Sequence, residues 1–256
     1  MAGELQDKIA VITAAASGMG RETSLRFAEE GAHVVSVDID VEAGAALLDD
    51  VKAAGGSAEF LAADLTDLGQ IEDVAKAIEA AHGHVDVLFN HAGAAGPRGF
   101  DFDADQWEFQ VNLNLRAPVF LTKLLLPLMG AGGSVIFTSS VSGLIASRNS
   151  PVYSTVKSGV LGFMRAIAAV GGADGIRANA ICPGTVDTPM LKQFFQAPGE
   201  SDTVLEERLA SFKQAVPLGR ISQPQEIAEL VLFLAGERSS FITGVAVPID
   251  GGYVAL

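Results

Sequence analysis

The chain has 256 residues, of which 49% are apolar, and its formal net charge is −14. This length is sufficient for one domain with a sizeable core. Nucleic-acid binding needs clustered Lys and Arg, whereas this chain has 17 basic against 31 acidic residues. We therefore expect no nucleic-acid partner.

The cysteine content and the hydropathy pattern bear on the compartment. The single cysteine, Cys182, excludes an intramolecular disulfide and fits a reducing compartment. Residues 1–4 show no basic and apolar leader, and the interrupted apolar stretches predict no bilayer span. We therefore expect a cytoplasmic protein with no membrane partner.

Short apolar runs alternate with amphipathic stretches along the whole chain. The predicted strands are 8–13, 33–37, 58–62, 85–89, 134–138, 177–181 and 245–249. Predicted helices between them include 18–30 and 41–54. Apolar strands separated by helices indicate a parallel sheet that is covered on both faces. The sequence therefore predicts an α/β fold, with one Rossmann-type doubly wound sheet of about seven strands in a single domain over 1–256.

The connection between the predicted sixth strand and a helix starting near Pro224 is unusually long, at about forty residues, and such connections are usually functional. It contains several prolines and apolar residues, among them Met190, Leu191, Phe194 and Phe195. Its apolar residues favour short helices over an irregular loop. We expect a substrate lid at about 184–222, and an insertion that only packs against the domain is the alternative.

Small residues join the first predicted strand to the first predicted helix. Small side chains let the backbone approach a pyrophosphate, and a helix N-terminus offers unpaired N–H donors. Such turns also contain glycines for packing reasons alone, so the turn is weak evidence by itself. The candidate cofactor contacts in this turn are Thr13, Ala15, Ser17, Gly18, Met19 and Gly20.

An acidic residue, Asp38, follows the second predicted strand, 18 residues beyond Gly20. A carboxylate at this point accepts hydrogen bonds from the adenosine ribose and repels the 2′-phosphate of NADP. The neighbouring Ile39 and the turn residue Ser17 bring no compensating positive charge. A solvated strand-end residue is the alternative. The sequence therefore predicts NAD as the cofactor.

Further candidate contacts follow the third and fourth predicted strands, at the edge where open α/β sheets bind ligands. Asp64, with Leu65 beside it, is a candidate for the adenine amino group. Asn90 is a candidate for tying neighbouring strand ends together, while Ala92 and Gly93 leave room for a ribose. A turn-forming role fits each of these residues equally well.

Tyr153 and Lys157 open the helix that follows the fifth predicted strand, and their spacing places them on one helix face. A nearby ammonium favours the phenolate, so we expect the pKa of Tyr153 to fall from about 10 towards neutral pH. Tyr153 would then act as a general base or acid. Ser140 can hydrogen-bond the reacting oxygen. Asn114 can hold a water against Lys157, with a helix-surface asparagine as the alternative.

Together these residues resemble the short-chain dehydrogenase/reductase family over 8–253. The resemblance rests on the glycine turn, Asp38, 90–93, Asn114, Ser140, Tyr153, Lys157, 179–184, Thr188 and 250–252. It implies a catalytic tetrad of Asn114, Ser140, Tyr153 and Lys157, in which Lys157 also binds the nicotinamide ribose. It further implies a homotetramer and additional cofactor contacts. These are Pro183, Gly184, Val186 and Thr188 around the carboxamide, and Val111 on the adenosine side.

Two positions depart from the family pattern. Ala14 replaces the first glycine of the turn, which costs about 1 kcal/mol if its φ is positive. His91 replaces the second Asn of the usual Asn-Asn-Ala-Gly, and we interpret it as a packing or hydrogen-bonding change. The sequence predicts no metal site.

The substrate is less well determined by the sequence. Segments 13–16 and 182–189 resemble the NAD-linked type-2 3-hydroxybutyrate dehydrogenases, which hold a carboxylate with arginines. Here Ser150 stands three residues before the tyrosine, and Arg148 and Lys192 are the candidate substitutes. Because the expected lid carries phenylalanines, we expect a neutral, fairly apolar or cyclic secondary alcohol or ketone. The alternatives are a short hydroxy-acid dehydrogenase, a 3-oxoacyl thioester reductase and a non-catalytic NAD(H)-binding redox regulator.

Overall fold

A parallel sheet forms the centre of the computed structural model, which describes residues 3–145, 147, 149–196 and 199–255. Within these residues seven strands pair in the order β3–β2–β1–β4–β5–β6–β7. They are β1 (Ile9–Thr13), β2 (His33–Asp38), β3 (Ser57–Ala62), β4 (Val87–Asn90), β5 (Ser134–Thr138), β6 (Arg177–Pro183) and β7 (Ala246–Ile249). The predicted fold class is confirmed, and each predicted strand bound lies within two residues of the observed one.

Nine α-helices surround the sheet in the part of the chain that the structure describes. They are α1 (Gly18–Glu29), α2 (Val41–Ala53), α3 (Leu68–His82), α4 (Ala104–Val111), α5 (Ala117–Leu125), α6 (Pro151–Gly171), α7 (Leu191–Phe195), α8 (Asp202–Ala215) and α9 (Pro224–Ala235). One core cluster joins the sheet to α3, α5 and α6, and a second joins it to α1, α2 and α9. The strand order reverses between β1 and β4, which creates a crevice at their carboxyl ends.

The segment between α4 and α5 is a π-helical turn, Asn112–Arg116, rather than a continuous α-helix. Such turns are rare and often occur at functional sites because they displace one side chain from the regular helical face. Here the turn contains Asn114, which is buried. The helix-surface alternative for Asn114 is therefore wrong.

The long connection after β6 contains α7 and α8, as its apolar residues predicted. Phe195 of α7 packs edge-on against Phe212 of α8, with ring centroids 5.4 Å apart. Phe212 in turn lies 5.1 Å from the ring of Tyr253 near the chain end. These aromatic contacts attach the connection to the body of the domain beside the crevice.

One stretch, Pro151–Asp174, is long and apolar enough to cross a bilayer by length and composition, with a mean hydropathy of 1.2. This differs from the expectation that the apolar stretches are too short or too interrupted. However, the α6 part of this stretch contributes Val160, Leu161, Met164 and Ile167 to the core against the sheet. We therefore interpret it as a core helix, whose apolar character comes from packing under β5 and β6.

Candidate active site

Two adjoining cavities lie at the carboxyl ends of the strands. The first, which we call the groove, has a volume of about 400 Å³ and follows the crevice between β1 and β4. The second, the lid cavity, has a volume of about 840 Å³ and extends beneath α7 and α8. The side chains common to both walls are Met19, Thr138, Tyr153, Thr188 and Met190. Tyr153 therefore stands where the two cavities meet.

Most of the predicted cofactor contacts line the groove. They are Ser17, Gly18, Met19, Asp38, Ile39, Asp64, Leu65, Ala92, Gly93, Tyr153, Lys157 and Thr188. Pro183, Gly184 and Val186 line the lid cavity instead. The structure thus brings residues that follow six different strands to one edge of the sheet.

Five predicted contacts lie outside both cavities. The Thr13 hydroxyl accepts hydrogen bonds from the amides of His91 and Ala92, at 2.8 and 2.9 Å, and so supports the loop after β4. Ala15 is fully buried in the core. At Gly20 a Cβ would stand 2.0 Å from the carbonyl oxygen of Ala14, so the glycine permits close packing of α1 on its own turn.

The other two are Asn90 and Val111. Asn90 donates to the Thr122 hydroxyl at 3.0 Å, so it ties β4 to α5 rather than to another strand end. Phe109 and Leu113 line the groove in place of Val111. Residues four apart share a helix face, whereas the residue midway between them points away from it.

The carboxylate of Asp38 is fixed at the rim of the groove by two backbone amides. Its oxygens accept hydrogen bonds from Ala16 at 2.9 Å and Asp40 at 3.1 Å. Each carboxylate oxygen can accept a second hydrogen bond, and Asp38 is only partly buried. Among the groove-lining residues that the structure describes, Lys157 is the only cation.

The N-terminus of α1 is well suited to an anion. Its N-cap residue, Ser17, makes no side-chain capping hydrogen bond, whereas Asp40 and Asp67 cap α2 and α3. The unpaired N–H groups of this first turn and the helix dipole therefore remain available beside the groove. Together with the acceptor at Asp38, this arrangement fits a dinucleotide, whose pyrophosphate would lie at the helix N-terminus.

The structure decides between the alternatives that the sequence left open for two groove residues, Ala14 and Asp64. Ala14 has a φ of +51°, so the condition for strain is met and the turn carries a cost of about 1 kcal/mol. The Asp64 carboxylate accepts from the amide and hydroxyl of Thr66, at 2.8 and 2.7 Å. The turn-forming alternative for Asp64 is thus observed, and its side chain also lines the groove.

The predicted tetrad residues converge behind Tyr153. The Lys157 ammonium lies 5.5 Å from the centre of the Tyr153 ring and donates to the carbonyl oxygen of Thr138 at 3.0 Å. The Ser140 hydroxyl, which accepts a hydrogen bond from the Ser142 amide at 3.1 Å, is close enough to Tyr153 to lower the pKa of its phenol. The side-chain oxygen of Asn114 and the Lys157 nitrogen lie 2.6 and 3.2 Å from the point that a Cβ on Gly93 would occupy. A side chain at Gly93 would therefore separate these two groups.

Asn114 is held in this position by hydrogen bonds to two neighbouring elements. Its amide nitrogen donates to the carbonyl oxygen of Ala94 at 3.2 Å and to the Gln110 side chain at 3.0 Å. Its oxygen accepts from the Ala94 amide at 3.3 Å. The π-helical turn directs Asn114 inward, and these bonds fix the loop after β4 against it.

Burial dominates the protonation of the catalytic pair. Desolvation raises the pKa of the Tyr153 phenol, and the hydrogen bond with Ser140 only partly opposes this. Desolvation also lowers the pKa of the Lys157 ammonium to about 8. The prediction that the lysine makes the phenol acidic is therefore wrong for the chain alone, because removing either charge from water is the larger effect.

His91 has the role that the sequence analysis gave it. Its ring stacks on Phe89 at 5.1 Å, and its Nδ1 lies 2.9 Å from the Thr138 hydroxyl. Burial, and then the charge of Lys157, lower the pKa of His91 to about 3. The imidazole is therefore neutral and packs at the end of β4, where it adds no charge to the groove.

The family of the chain follows from comparison with known proteins. A family model described as enoyl-(acyl carrier protein) reductase matches residues 13–254. A solved protein of Burkholderia xenovorans, assigned to the short-chain dehydrogenases/reductases, has a TM-score of 0.91 and 34% identity. That alignment covers 100% of this chain and 99% of the other. The chain belongs to the short-chain dehydrogenase/reductase family.

Relatives within this dehydrogenase/reductase family act on different substrates. The 2-keto-3-deoxy-L-fuconate dehydrogenase of Xanthomonas campestris is 42% identical, over 97% of this chain and 81% of its own length. The cyclohexanol dehydrogenase of an Acinetobacter strain is 32% identical, over 100% of this chain and 98% of its own length. One name denotes a keto sugar acid and the other a neutral cyclic alcohol. Family membership therefore does not determine the substrate class, and the lining of the lid cavity has to be considered.

The walls of the lid cavity are more polar than the phenylalanines of the 184–222 connection predicted. Phe194, Phe195 and Phe212 line it as expected, but Ser142, Asn149, Ser150 and Thr185 line it as well. The Phe194 ring packs edge-on against Tyr153, with centroids 5.5 Å apart. Apolar and hydrogen-bonding surfaces thus both face the space beside the phenol.

Two arginines in the lid cavity were missed by the sequence analysis, which had considered Arg148 and Lys192. Lys192 lies outside the cavity and pairs with Asp202 at 3.3 Å, and Arg148 is outside the described residues. Arg208 is bound by Glu200 at 2.6 Å. Arg98 donates to the Phe194 carbonyl oxygen at 2.6 Å and has no carboxylate partner among the described residues. Arg98 follows β4 in a loop, and no local sequence pattern marks it.

Proposed function

We propose that this protein is an NAD(H)-dependent oxidoreductase that interconverts a secondary alcohol and a ketone. The observation that carries the proposal is the position of Tyr153, which lines both the groove and the lid cavity, with Ser140 in the same wall of the lid cavity. NAD bound in the groove would supply a hydride acceptor, or a donor when reduced. A substrate in the lid cavity would then have its oxygen beside the phenol.

The chain's own residues handle the proton and the orientation. Because burial raises its pKa, Tyr153 keeps its proton at neutral pH, which is the state that protonates a ketone oxygen. Alcohol oxidation needs the phenolate, so Tyr153 would first pass its proton to a neutral Lys157, whose pKa of about 8 allows that state near neutral pH, and would then take up the proton of the alcohol. Ser140 orients the reacting oxygen, and Asn114 positions the polar groups around Lys157.

The preference for NAD over NADP is tested by cofactor binding alone. We expect NADH to bind at least about 100-fold more tightly than NADPH, because the fixed Asp38 carboxylate would face the 2′-phosphate. Asp38→Asn removes that charge and should reduce the ratio of the NADPH to the NADH dissociation constant by at least about tenfold. The measurement is fluorescence titration of each reduced cofactor.

Asp40→Asn is the matched control, because Asp40 is exposed two residues later and Asn can still cap α2. Its NADH to NADPH ratio should equal that of the wild type. Equal affinity of the wild type for the two cofactors would refute the assignment of NAD.

The substrate is best supported as a secondary alcohol on an apolar or cyclic skeleton, since Phe194 packs against Tyr153 and two further phenylalanines line the same cavity. A hydroxy acid is the second candidate, favoured by Arg98 in the same cavity, whose guanidinium bonds only the Phe194 carbonyl oxygen among the residues that the structure describes. A 3-oxoacyl thioester reductase is less well supported, because such enzymes more often use NADPH and present a basic surface to a carrier protein.

A substrate panel with NAD, followed by NADH absorbance, tests the reaction. It should pair cyclic secondary alcohols with hydroxy acids and sugar acids of similar size. We expect at least one class to give NADH formation, with kcat/KM at least about tenfold above the other. If acids are preferred, Arg98→Gln should raise KM more than it lowers kcat. No oxidation of any secondary alcohol, and no reduction of the matching ketones, would refute the proposed reaction.

We also propose that the protein is a cytoplasmic homotetramer. β7 is an edge strand that is only partly buried, and the nearby Phe241 and Val245 are exposed. An exposed edge with apolar neighbours favours pairing with a second copy.

A further inference from the structure

A cluster of three potential metal ligands lies away from the active site, near the amino ends of β2 and β3. His33 begins β2, Glu59 is the third residue of β3, and His82 is the last residue of α3. One ligand atom from each side chain lies within 4.8 Å of both others. The three residues come from separate elements, so the fold alone brings them together.

The His33 imidazole has one committed nitrogen and one free nitrogen. Its Nδ1 lies 2.6 Å from the Ser57 hydroxyl, while its Nε2 is buried and has no hydrogen-bond partner among the described residues. If Nδ1 carries the proton and donates it to Ser57, Nε2 presents an unpaired lone pair. A ligating histidine usually has this arrangement, because a second-shell oxygen fixes the tautomer that leaves the other nitrogen for the metal.

Glu59 and His82 complete the set. A Glu59 oxygen lies 2.9 Å from Nε2 of His82, and the two imidazole rings are 5.1 Å apart and tilted by 49°. The side chains of His82 and Glu59 are 14% and 35% exposed, so an ion can enter from solvent. His82 also ends α3, where the helix dipole favours a cation.

We propose that His33, Glu59 and His82 form a Zn²⁺ site. Two imidazoles and one carboxylate are ligands that zinc takes, with a water molecule as the fourth. Zinc bonds of about 2.0–2.2 Å require the ligand atoms to approach to about 3–4 Å, a small movement of side chains. On binding, a proton held between His82 and Glu59 would move to the other ring nitrogen of His82 or to solvent, and the metal would pair the free Nε2 of His33. The metal would tie β2, β3 and α3 together and would take no part in catalysis.

Zinc titration of the chelator-treated protein tests the site. Calorimetry should show one equivalent per chain, and saturating Zn²⁺ should raise the Tm by at least about 3 °C. His82→Gln and Glu59→Gln should lose both effects. His84→Gln is the matched control, since His84 is a nearby exposed histidine that also faces a carboxylate, that of Asp86. This variant should keep the full equivalent and the full Tm shift.

A spectroscopic measurement on the unaltered protein makes the test independent of variant folding. One equivalent of Co²⁺ should give the visible absorption of a four-coordinate site with nitrogen and oxygen ligands, and one equivalent of Zn²⁺ should remove it. Absence of stoichiometric binding to the wild type would overturn the proposal. The proposal would also be overturned if folded His82→Gln still bound one equivalent of Zn²⁺ per chain, or if His84→Gln lost it.

Discussion

Replacing Tyr153 with Phe is expected to lower kcat by at least about 1,000-fold while NADH affinity stays within about threefold of the wild type. The change removes one oxygen atom, the group that exchanges a proton with the substrate. The ring itself should stay in place, because it packs against Phe194 and is nine-tenths buried. Steady-state kinetics on the best substrate of the panel measures kcat, and fluorescence titration measures the NADH affinity.

The second tyrosine of the chain provides the control. Tyr253 also lines the lid cavity and stacks near Phe212, but it lies outside the groove. Tyr253→Phe should keep kcat within about threefold of the wild type. Full turnover in Tyr153→Phe would refute the mechanism. A protein that binds NADH but turns over no substrate in any variant would instead support the redox-regulator alternative.

The sequence was sufficient for the fold and for most of the catalytic geometry because both depend on local rules. Apolar runs and helical periodicity locate strands and helices, and the carboxyl ends of parallel strands meet at one edge. Asp38 and Tyr153 could therefore be assigned to one site although they lie 115 positions apart in the chain. The four-residue spacing of Tyr153 and Lys157 likewise fixes their common face.

The remainder depends on tertiary structure that no local pattern encodes. Arg98 reaches the lid cavity through the path of an irregular loop, and Val111 misses the groove because of helix rotation. The shift in the pKa of Tyr153 depends on burial by several elements at once. The charge of Lys157, four residues away, was therefore not sufficient to predict its direction. The ligands His33, Glu59 and His82 are separated by more than twenty residues each, a spacing that resembles no metal motif.

Replacing Lys157 with Met is expected to stabilise the fold at pH 7 while it lowers kcat by at least about 100-fold. Lys157 is buried and has no carboxylate partner in the described part of the chain. Its pKa of about 8, against 10.5 for an unperturbed lysine, corresponds to a cost of about 3 kcal/mol for the charged form. Loss of the hydrogen bond from Lys157 to Thr138 reduces the stabilisation gained by removing the charge by about 1 kcal/mol. The expected net gain is about 2 kcal/mol.

The pH dependence of this gain has a definite sign. Below pH 8 the lysine is charged in both the folded and unfolded chain, so the whole cost is present. Between about pH 8 and 10.5 the unfolded chain binds a proton that the folded chain has released, so wild-type stability rises with pH relative to the variant. The advantage of Lys157→Met should therefore be largest at pH 7 and small by pH 10.

Urea unfolding of both proteins at pH 7 and pH 10 measures the effect. Lys123→Met, an exposed lysine on α5, is the control and should change stability by less than about 0.5 kcal/mol at either pH. A Lys157→Met protein that is no more stable than the wild type at pH 7 would show that its neighbours solvate the ammonium well. A variant that is both more stable and inactive would show that the fold tolerates an unfavourable buried charge because the proton transfer at Tyr153 requires it.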